Sequence, residues 1–332
     1  MIVERVKLAN FRSHEVYDLI CRKKTTLIVG ENGSGKTSVL EAIYEALQGR
    51  SFRAVDKEVL RRGSEFYRVE LTFKSGEKAV VVFDGEKKTF LVGDKKFARL
   101  PRKMKYPVVL FLPSDLHLVE ASPGRRREYF DRVLGGLLEN YSSVLAKYTK
   151  TLRQRNELLK TPEVRASDLF SWNILLAKYG TAIRRARGDF IKEINMRLTE
   201  RYRTIAENED EVLVEYSQQG GELGESGYLE RLEKEFQRDK VLGHTGFGAH
   251  RDTFEFKFNK TGAEGSASRG EMRSMILALK FIEAELIYEH LRKRPVILLD
   301  DVFSELDEKR QKCLVKNFKD HQVIITSVEF ND

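Results

Sequence analysis

Gly30-Glu31-Asn32-Gly33-Ser34-Gly35-Lys36-Thr37 satisfies the G-x-x-x-x-G-K-[ST] phosphate-binding pattern at every fixed position, and it commits the chain to one local architecture. Such a loop works between a buried strand and a helix. Thr25–Val29 before it is a short β-branched, apolar run, and Val39–Leu47 after it has helical periodicity. The glycines let backbone N–H groups wrap a phosphate, and the following helix points its positive dipole end at the same anion. Gly30 to Thr37, with Ser38 behind them, are therefore the candidate nucleotide-binding residues. Lys36 is expected to neutralise the β- and γ-phosphates, and Thr37 to offer a hydroxyl to Mg²⁺.

A second half-site must complete this one. Pro295-Val296-Ile297-Leu298-Leu299-Asp300-Asp301 is an apolar strand that ends in two carboxylates. Buried carboxylates are costly unless a cation meets them, so the pair points to a metal-bearing site. Asp300 is expected to reach Mg²⁺ with Thr37, and Asp301 to orient or activate the attacking water. Lys36 and Asp301 are thus the candidate catalytic residues.

Composition bounds the rest. The 332 residues are 41% hydrophobic and 33% charged, as expected of a soluble globular chain of roughly two domains. The beginning, Met1 to Leu8, is charged throughout, with no signal peptide, and no apolar run is long enough to span a bilayer. A cytoplasmic protein without membrane contact is expected. Cys21 and Cys313 are far apart and fit reduced thiols. A formal charge of +8 and a pI near 9.2 are compatible with nucleic acid. From Tyr141 to Ile205 fourteen Lys/Arg face six Asp/Glu, an excess equal to that of the whole chain.

Strands are expected at Met1–Asn10 and Glu15–Leu19, which could pair, and at Tyr67–Phe73, Ala79–Phe83 and Thr89–Val92, which look like an antiparallel layer; Val108–Phe111 is another short apolar run of buried-strand type. From Arg125 the pattern becomes helical, and Asp168–Ala206 is its longest periodic stretch, with Leu169, Leu176, Ile183, Phe190, Ile194 and Leu198 as core. Strand character returns at Thr253–Phe258, followed by a hairpin turn at Asn259-Lys260-Thr261-Gly262. Basic residues interleave with the helical core. Arg125, Arg126 and Arg127 with Arg184, Arg185 and Arg187 are the candidate DNA contacts, the alternative being a solvated face that braces helices.

Ser268-Arg269-Gly270-Glu271 precedes the helical run Met272–Leu291, and Ser304-Glu305-Leu306-Asp307 follows Asp301. With these the chain resembles the ABC-type ATPases of the SMC/Rad-type recombination group, whose signature S-x-G and S-x-L-D loops stand at these places. Further blocks make it similar to the RecF family of bacterial recombination mediators within that group. They include Leu8-Ala9-Asn10-Phe11-Arg12, Gly49-Arg50-Ser51-Phe52-Arg53, Asp115 to Arg127, Gln154 to Lys160 and Gly248-Ala249-His250-Arg251-Asp252. The resemblance implies an α/β fold: an ABC-type P-loop ATPase head with a mixed central sheet and an antiparallel β layer. Residues 1–112 and 245–332 would form that head, and 113–244 an inserted, mainly helical second lobe.

The resemblance also implies ATP as the nucleotide and an ATP-dependent homodimer on single-stranded, gapped or duplex DNA. Ser268 and Gly270 would meet the γ-phosphate held by the partner copy's loop; Asp307 belongs to the neighbouring loop, and Arg12 would lie near the phosphates. Mediators of the RecO and RecR type are the implied partners, in recombinational repair and replication restart, where the dimer would clamp DNA, help load recombinase at gaps and be released by hydrolysis.

The resemblance implies a weak, DNA-stimulated ATPase, and three departures point to slow hydrolysis. Asp301 stands where ABC ATPases usually carry Glu; no Gln occurs between Gln48 and Gln154 to form a Q-loop, leaving Ser114 or Asp115 in its place; and Thr326 and Ser327 stand where many have a switch His. Glu271 replaces the usual signature Gln, so its carboxylate must face away from phosphate or meet an Arg. Two other classes share the loop: an ABC-type subunit of another assembly, and a P-loop kinase or GTPase. The guanine-specifying N-K-x-D is absent, since Asn259-Lys260-Thr261 ends in Gly262.

Overall fold

The structure is a computed structural model, and it describes residues 2–328. It divides into two compact units, one of residues 1–116 with 283–332 and one of 117–282.

The first unit holds two sheets. Strands β1 (Val3–Phe11) and β2 (His14–Ile20) form a hairpin. After β3 (Thr25–Val29) come helix α1 (Lys36–Gln48) and the short α2 (Asp56–Val59). Then follow β4 (Tyr67–Phe73), β5 (Lys78–Phe83), β6 (Lys88–Val92), β7 (Lys95–Phe97) and β8 (Val108–Phe111). The antiparallel sheet runs β2-β1-β4-β5-β6-β7. β4 alternates strictly, with Tyr67, Val69, Leu71 and Phe73 buried, because one face of this sheet covers a core and the other meets solvent. The second sheet is parallel, in the order β3-β13-β12-β8, where β12 is Val296–Asp300 and β13 is Val323–Ser327. Its central strand β12 is buried at every position, as expected of a parallel strand covered on both faces. Helix α1 packs against strands of both sheets. That position explains why its residues from Ser38 to Leu47 are all buried, Glu41 and Glu45 included. Tyr67 Oη donates to Glu45 Oε1 at 2.7 Å, and Lys88 bridges Glu45 and Asp56.

The second unit contains α3 (Pro123–Leu137), α4 (Tyr141–Leu159), α5 (Ala166–Ala206), β9 (Val212–Ser217), α6 (Glu225–Lys234) and α7 (Phe236–Leu242). β10 (Thr253–Phe258), β11 (Thr261–Gly262) and α8 (Ala263–Ser266) follow. The 41-residue α5 buries the expected stripe, Leu169, Leu176, Ile183, Phe190, Ile194 and Leu198. The Asn259-Lys260 turn joins β10 to β11 with both residues at positive φ. Residues 245–282, expected with the chain's N-terminal part, fall in this unit because β10 hydrogen-bonds to β9 along its full length. The boundary at 282/283 lies inside α9 (Arg269–Leu291), which precedes β12; α10 (Glu308–Asn317) precedes β13. No helix among the described residues is long and apolar enough to cross a membrane.

Candidate nucleotide site

Strand β3 ends at Val29, and the chain turns through the loop into α1. Gly35 sits at φ 93°, the left-handed region that L side chains disfavour. A Cβ there would lie 2.5 Å from His14 Nε2 and 2.6 Å from Ser13 Oγ, so the β1–β2 turn presses directly on the loop. Lys36 Nζ donates to the carbonyls of Gly30 at 2.6 Å and Glu31 at 2.9 Å, which holds the loop closed around its ammonium.

The two expected half-sites meet. Thr37 Oγ1 donates to Asp300 Oδ1 at 2.8 Å, although 263 positions separate them. Thr326 donates to the same Oδ1 at 3.0 Å and accepts from Asp301 N at 2.9 Å. Burial raises the Asp300 carboxyl above its ordinary range, and the two threonine hydroxyls only partly offset this. Asp301 occupies the left-handed region at φ 49°, and its Oδ1 is buried with no hydrogen-bond partner among the described residues. A strained carboxylate with an unmatched oxygen, beside a buried carboxylate and a hydroxyl, is a hard-oxygen set that suits a divalent cation. The residues fit Mg²⁺.

Arg12, Ser13, Asn32, Gly33, Gly35, Lys36, Thr37, Ser38, Arg53, Arg61, Arg62 and Asp301 are among the residues around one cleft of about 740 Å³. Arg12 therefore lines the same cleft as the phosphate loop. It is held there by Glu41, fully buried on α1, which accepts from Arg12 Nε and Nη2 at 2.9 and 2.7 Å. Arg53 Nε at 2.9 Å and Ser51 Oγ at 2.5 Å share the same carboxylate, and Arg53 Nη2 reaches Ser38 Oγ at 3.2 Å. Burial opposes the charge on Glu41, but Arg12, Ser51 and Arg53 together outweigh it and hold its pKa below the ordinary value. Sequence reasoning missed Glu41, Arg53, Arg61 and Arg62 as site residues. The signal was present for Glu41: a carboxylate within the apolar run Val39–Leu47 demands a buried cation, just as Asp300 did.

Other expected residues stand elsewhere. The Glu271 carboxylate is turned back on its own helix start: its Oε2 accepts from Ser268 N at 2.6 Å, while Glu271 N donates to Ser268 Oγ at 3.3 Å. This is a capping box that starts α9, with Ser268 exposed and Gly270 partly so. Asp307 caps α10 through Arg310 N at 2.9 Å, and Asp115 Oδ2 accepts from Leu112 N at 3.2 Å within its own turn.

The six candidate DNA contacts separate. Arg125 and Arg185 are exposed. Arg184 and Arg187 are not available to DNA, because both are buried and neutralised inside the second unit. Arg184 binds Asp252 through Nε at 3.0 Å and Nη2 at 2.7 Å, and Arg187 binds Asp131 through Nε at 2.9 Å and Nη2 at 2.8 Å. Arg126 is buried and donates to the Val119 carbonyl at 3.0 Å. Arg127, a possible partner of Asp131 one turn on, instead donates to the Asp252 carbonyl at 2.8 Å. For these four the bracing alternative holds.

The loop, the strand-end carboxylates and the S-x-G helix start define an ABC-type P-loop ATPase head of the SMC kind. Residues 5–312 match the sequence family described as the AAA domain. The DNA replication and repair protein RecF of Ruminiclostridium cellulolyticum is 34% identical, over 98% of this chain and 92% of that one. The protein of the same name from Streptococcus suis is 35% identical, over 100% and 94%. The chain belongs to the RecF family. A solved structure of the recombination mediator protein RecF-ATP in the RecFOR pathway superposes with a TM-score of 0.89 at 28% identity, covering 100% of this chain and 93% of that one. An SMC head bound to the C-winged helix domain of ScpA shares the fold, with a TM-score of 0.54 at 15% identity over 99% and 90% of the two chains.

Proposed function

We propose that this protein is an ATP-gated DNA-binding mediator of recombinational DNA repair. The observation that carries the reading is the direct Thr37–Asp300 hydrogen bond, which joins the phosphate loop to the strand-end carboxylates within one cation-lined cleft. Support comes also from the family, whose relatives are named for DNA replication and repair across almost this whole length.

In this scheme the backbone from Gly30 to Ser38 and the Lys36 ammonium bind the β- and γ-phosphates of ATP. Thr37 and Asp300 hold Mg²⁺, which supplies positive charge to the phosphate oxygens. Asp301 orients the attacking water, and its short arm, with Thr326 in place of a histidine, makes turnover slow. Ser268 and Gly270, exposed or nearly so at the start of α9, are free to meet a partner copy's γ-phosphate, with Asp307 at the neighbouring loop; a signature loop acting in trans makes ATP an interfacial bond. Dimer closure then retains DNA, hydrolysis releases it, and RecO- and RecR-type mediators act with the complex in loading recombinase.

Light scattering and phosphate release, followed together with ATP and DNA, test this scheme. The wild type is expected to dimerise with ATP and hydrolyse slowly, faster with DNA. Asp301→Asn is expected to accumulate dimers with hydrolysis reduced by at least about tenfold. A wild type that stays monomeric with ATP and DNA, or an Asp301→Asn protein that hydrolyses at the parental rate, ends the scheme.

A further inference from the structure

Between Lys95 and Ser114 the chain has six cations, Lys95, Lys96, Arg99, Arg102, Lys103 and Lys105, and no carboxylate. Elsewhere on the antiparallel sheet cations have acidic partners: Arg5 and Lys7 share Asp18, Arg68 and Lys78 share Glu70, and Lys88 bridges Glu45 and Asp56. At the β7 end this pairing stops. Among the described residues no ion pair reaches Arg50, Lys95, Lys96, Arg99, Lys103 or Lys105. Lys95, Lys96, Arg99, Lys103 and Arg50 are exposed.

The segment is nevertheless fixed in place. β7 pairs with β6, setting Lys96 opposite Leu91 and Lys95 opposite Val92. Buried Leu100 packs on Gly49 at the end of α1, and Tyr106 N donates to Leu47 O at 3.1 Å. Lys95 and Lys96, adjacent on this edge strand, point to its two faces, while Arg50 and Arg102 lie near Lys105. Burial, then the neighbouring Arg50 and Arg102, lowers the Lys105 pKa. Self-repelling cations held on an ordered scaffold suit a ligand that brings many negative charges.

We infer that the segment Lys95–Lys105 with Arg50 is a nucleic-acid phosphate-binding surface, placed at the opposite end of α1 from the phosphate loop. This rests on the DNA-binding reading above and moves most of that contact away from α3 and α5. The 13 residues of α1 span about 20 Å, so the two anion sites are joined by one rigid helix. The surface has no exposed aromatic or large aliphatic anchor, since Phe97 and Met104 are partly buried, which favours a phosphate backbone over an acidic protein face.

Binding of the full chain to a fluorescein-labelled duplex, read by anisotropy with ATP and Mg²⁺ across a salt series, tests the inference. The triple variant Lys95→Glu, Lys96→Glu, Arg99→Glu is expected to bind at least about tenfold more weakly. Its log-affinity against log-salt slope should be shallower by about 0.9 for each DNA phosphate that is no longer neutralised. The milder Lys95→Gln, Lys96→Gln, Lys103→Gln protein should shift in the same direction by less. Both should keep the wild-type melting temperature and affinity for ATP. If both bind DNA like the wild type, the inference fails, the surface passes to an acidic protein partner, and the DNA-binding reading stands. If the wild type itself binds no DNA, that reading and the inference fall together.

Discussion

Glu41 is where the cleft's geometry is decided. A fully buried carboxylate that collects Arg12, Arg53 and Ser51 determines where two guanidinium groups of the cleft can point. Glu41→Gln keeps the volume but removes the charge, leaving both arginines without their counter-ion. Because Arg12 and Arg53 retain some solvent access, a stability loss of about 2 kcal/mol is expected, below the cost for a fully buried pair. Affinity for a fluorescent ATP analogue should fall several-fold as the arginines lose their aim. Unchanged denaturant midpoint and unchanged affinity would reduce Glu41 to a space-filler. The nucleotide loop and Asp300–Asp301 were legible as patterns, since their spacing is fixed by phosphate chemistry. The Glu41 cluster was not: its members lie at 12, 41, 51 and 53, and only the fold brings them together.

Among the elements, α4, α6 and the loop before β10 are tied by a polar knot. Tyr148 Oη is 2.8 Å from His250 Nδ1 and 3.1 Å from Tyr228 Oη, and His250 Nε2 is 3.0 Å from the Thr245 carbonyl. A carbonyl only accepts, so Nε2 carries the proton and Nδ1 accepts from Tyr148. Gly248, at φ 139°, is confined by the same two tyrosine hydroxyls, which leave no room for a Cβ. Burial pushes the His250 pKa down from 6.5 to about 4. The unfolded chain takes up the proton first, so this stabilising contribution is present above pH 6.5 and is lost as pH falls towards 4. Between neutrality and about pH 5 the wild type should lose about 2 kcal/mol more than His250→Asn, measured by urea unfolding at each pH. Equal losses in the two proteins would show that His250 does not carry this dependence. Most strands were legible from alternation or apolar runs, but β7, β9 and the two-residue β11 were missed. β7 is three residues long with two lysines and shows no apolar pattern; it exists because the Gly93-Asp94 turn folds it onto β6.

Across the whole molecule, charge counted along the chain differs from charge in space. The basic excess of 141–205 suggested a DNA face, yet Arg155, Arg184 and Arg187 are answered by Asp239, Asp252 and Asp131, all outside that window. Asp252 also accepts from Tyr216 Oη at 2.7 Å and Gln219 N at 3.0 Å. Asp252→Leu strands the buried Arg184 and should destabilise the second unit by about 3–5 kcal/mol, with much of the loss recovered by adding Arg184→Met. Chemical denaturation of the single and double variants checks this: a single variant as stable as the wild type would mean the pair is dispensable.

The strand order of the parallel sheet also bears on how the protein is made. Among the described residues β3, which leads into the phosphate loop, pairs only with β13, and roughly three hundred residues separate Val29 from Val323. At about 5–20 residues per second, β3 waits about 15–60 s on the ribosome for its neighbour. The β1–β2–β4–β5 meander can pair during that interval, while Thr37 has no Asp300 and Gly30 no Ser327 to bond. A nascent chain that already displays the entire phosphate loop therefore lacks both Asp300 and the sheet neighbour of β3 until translation has passed β13.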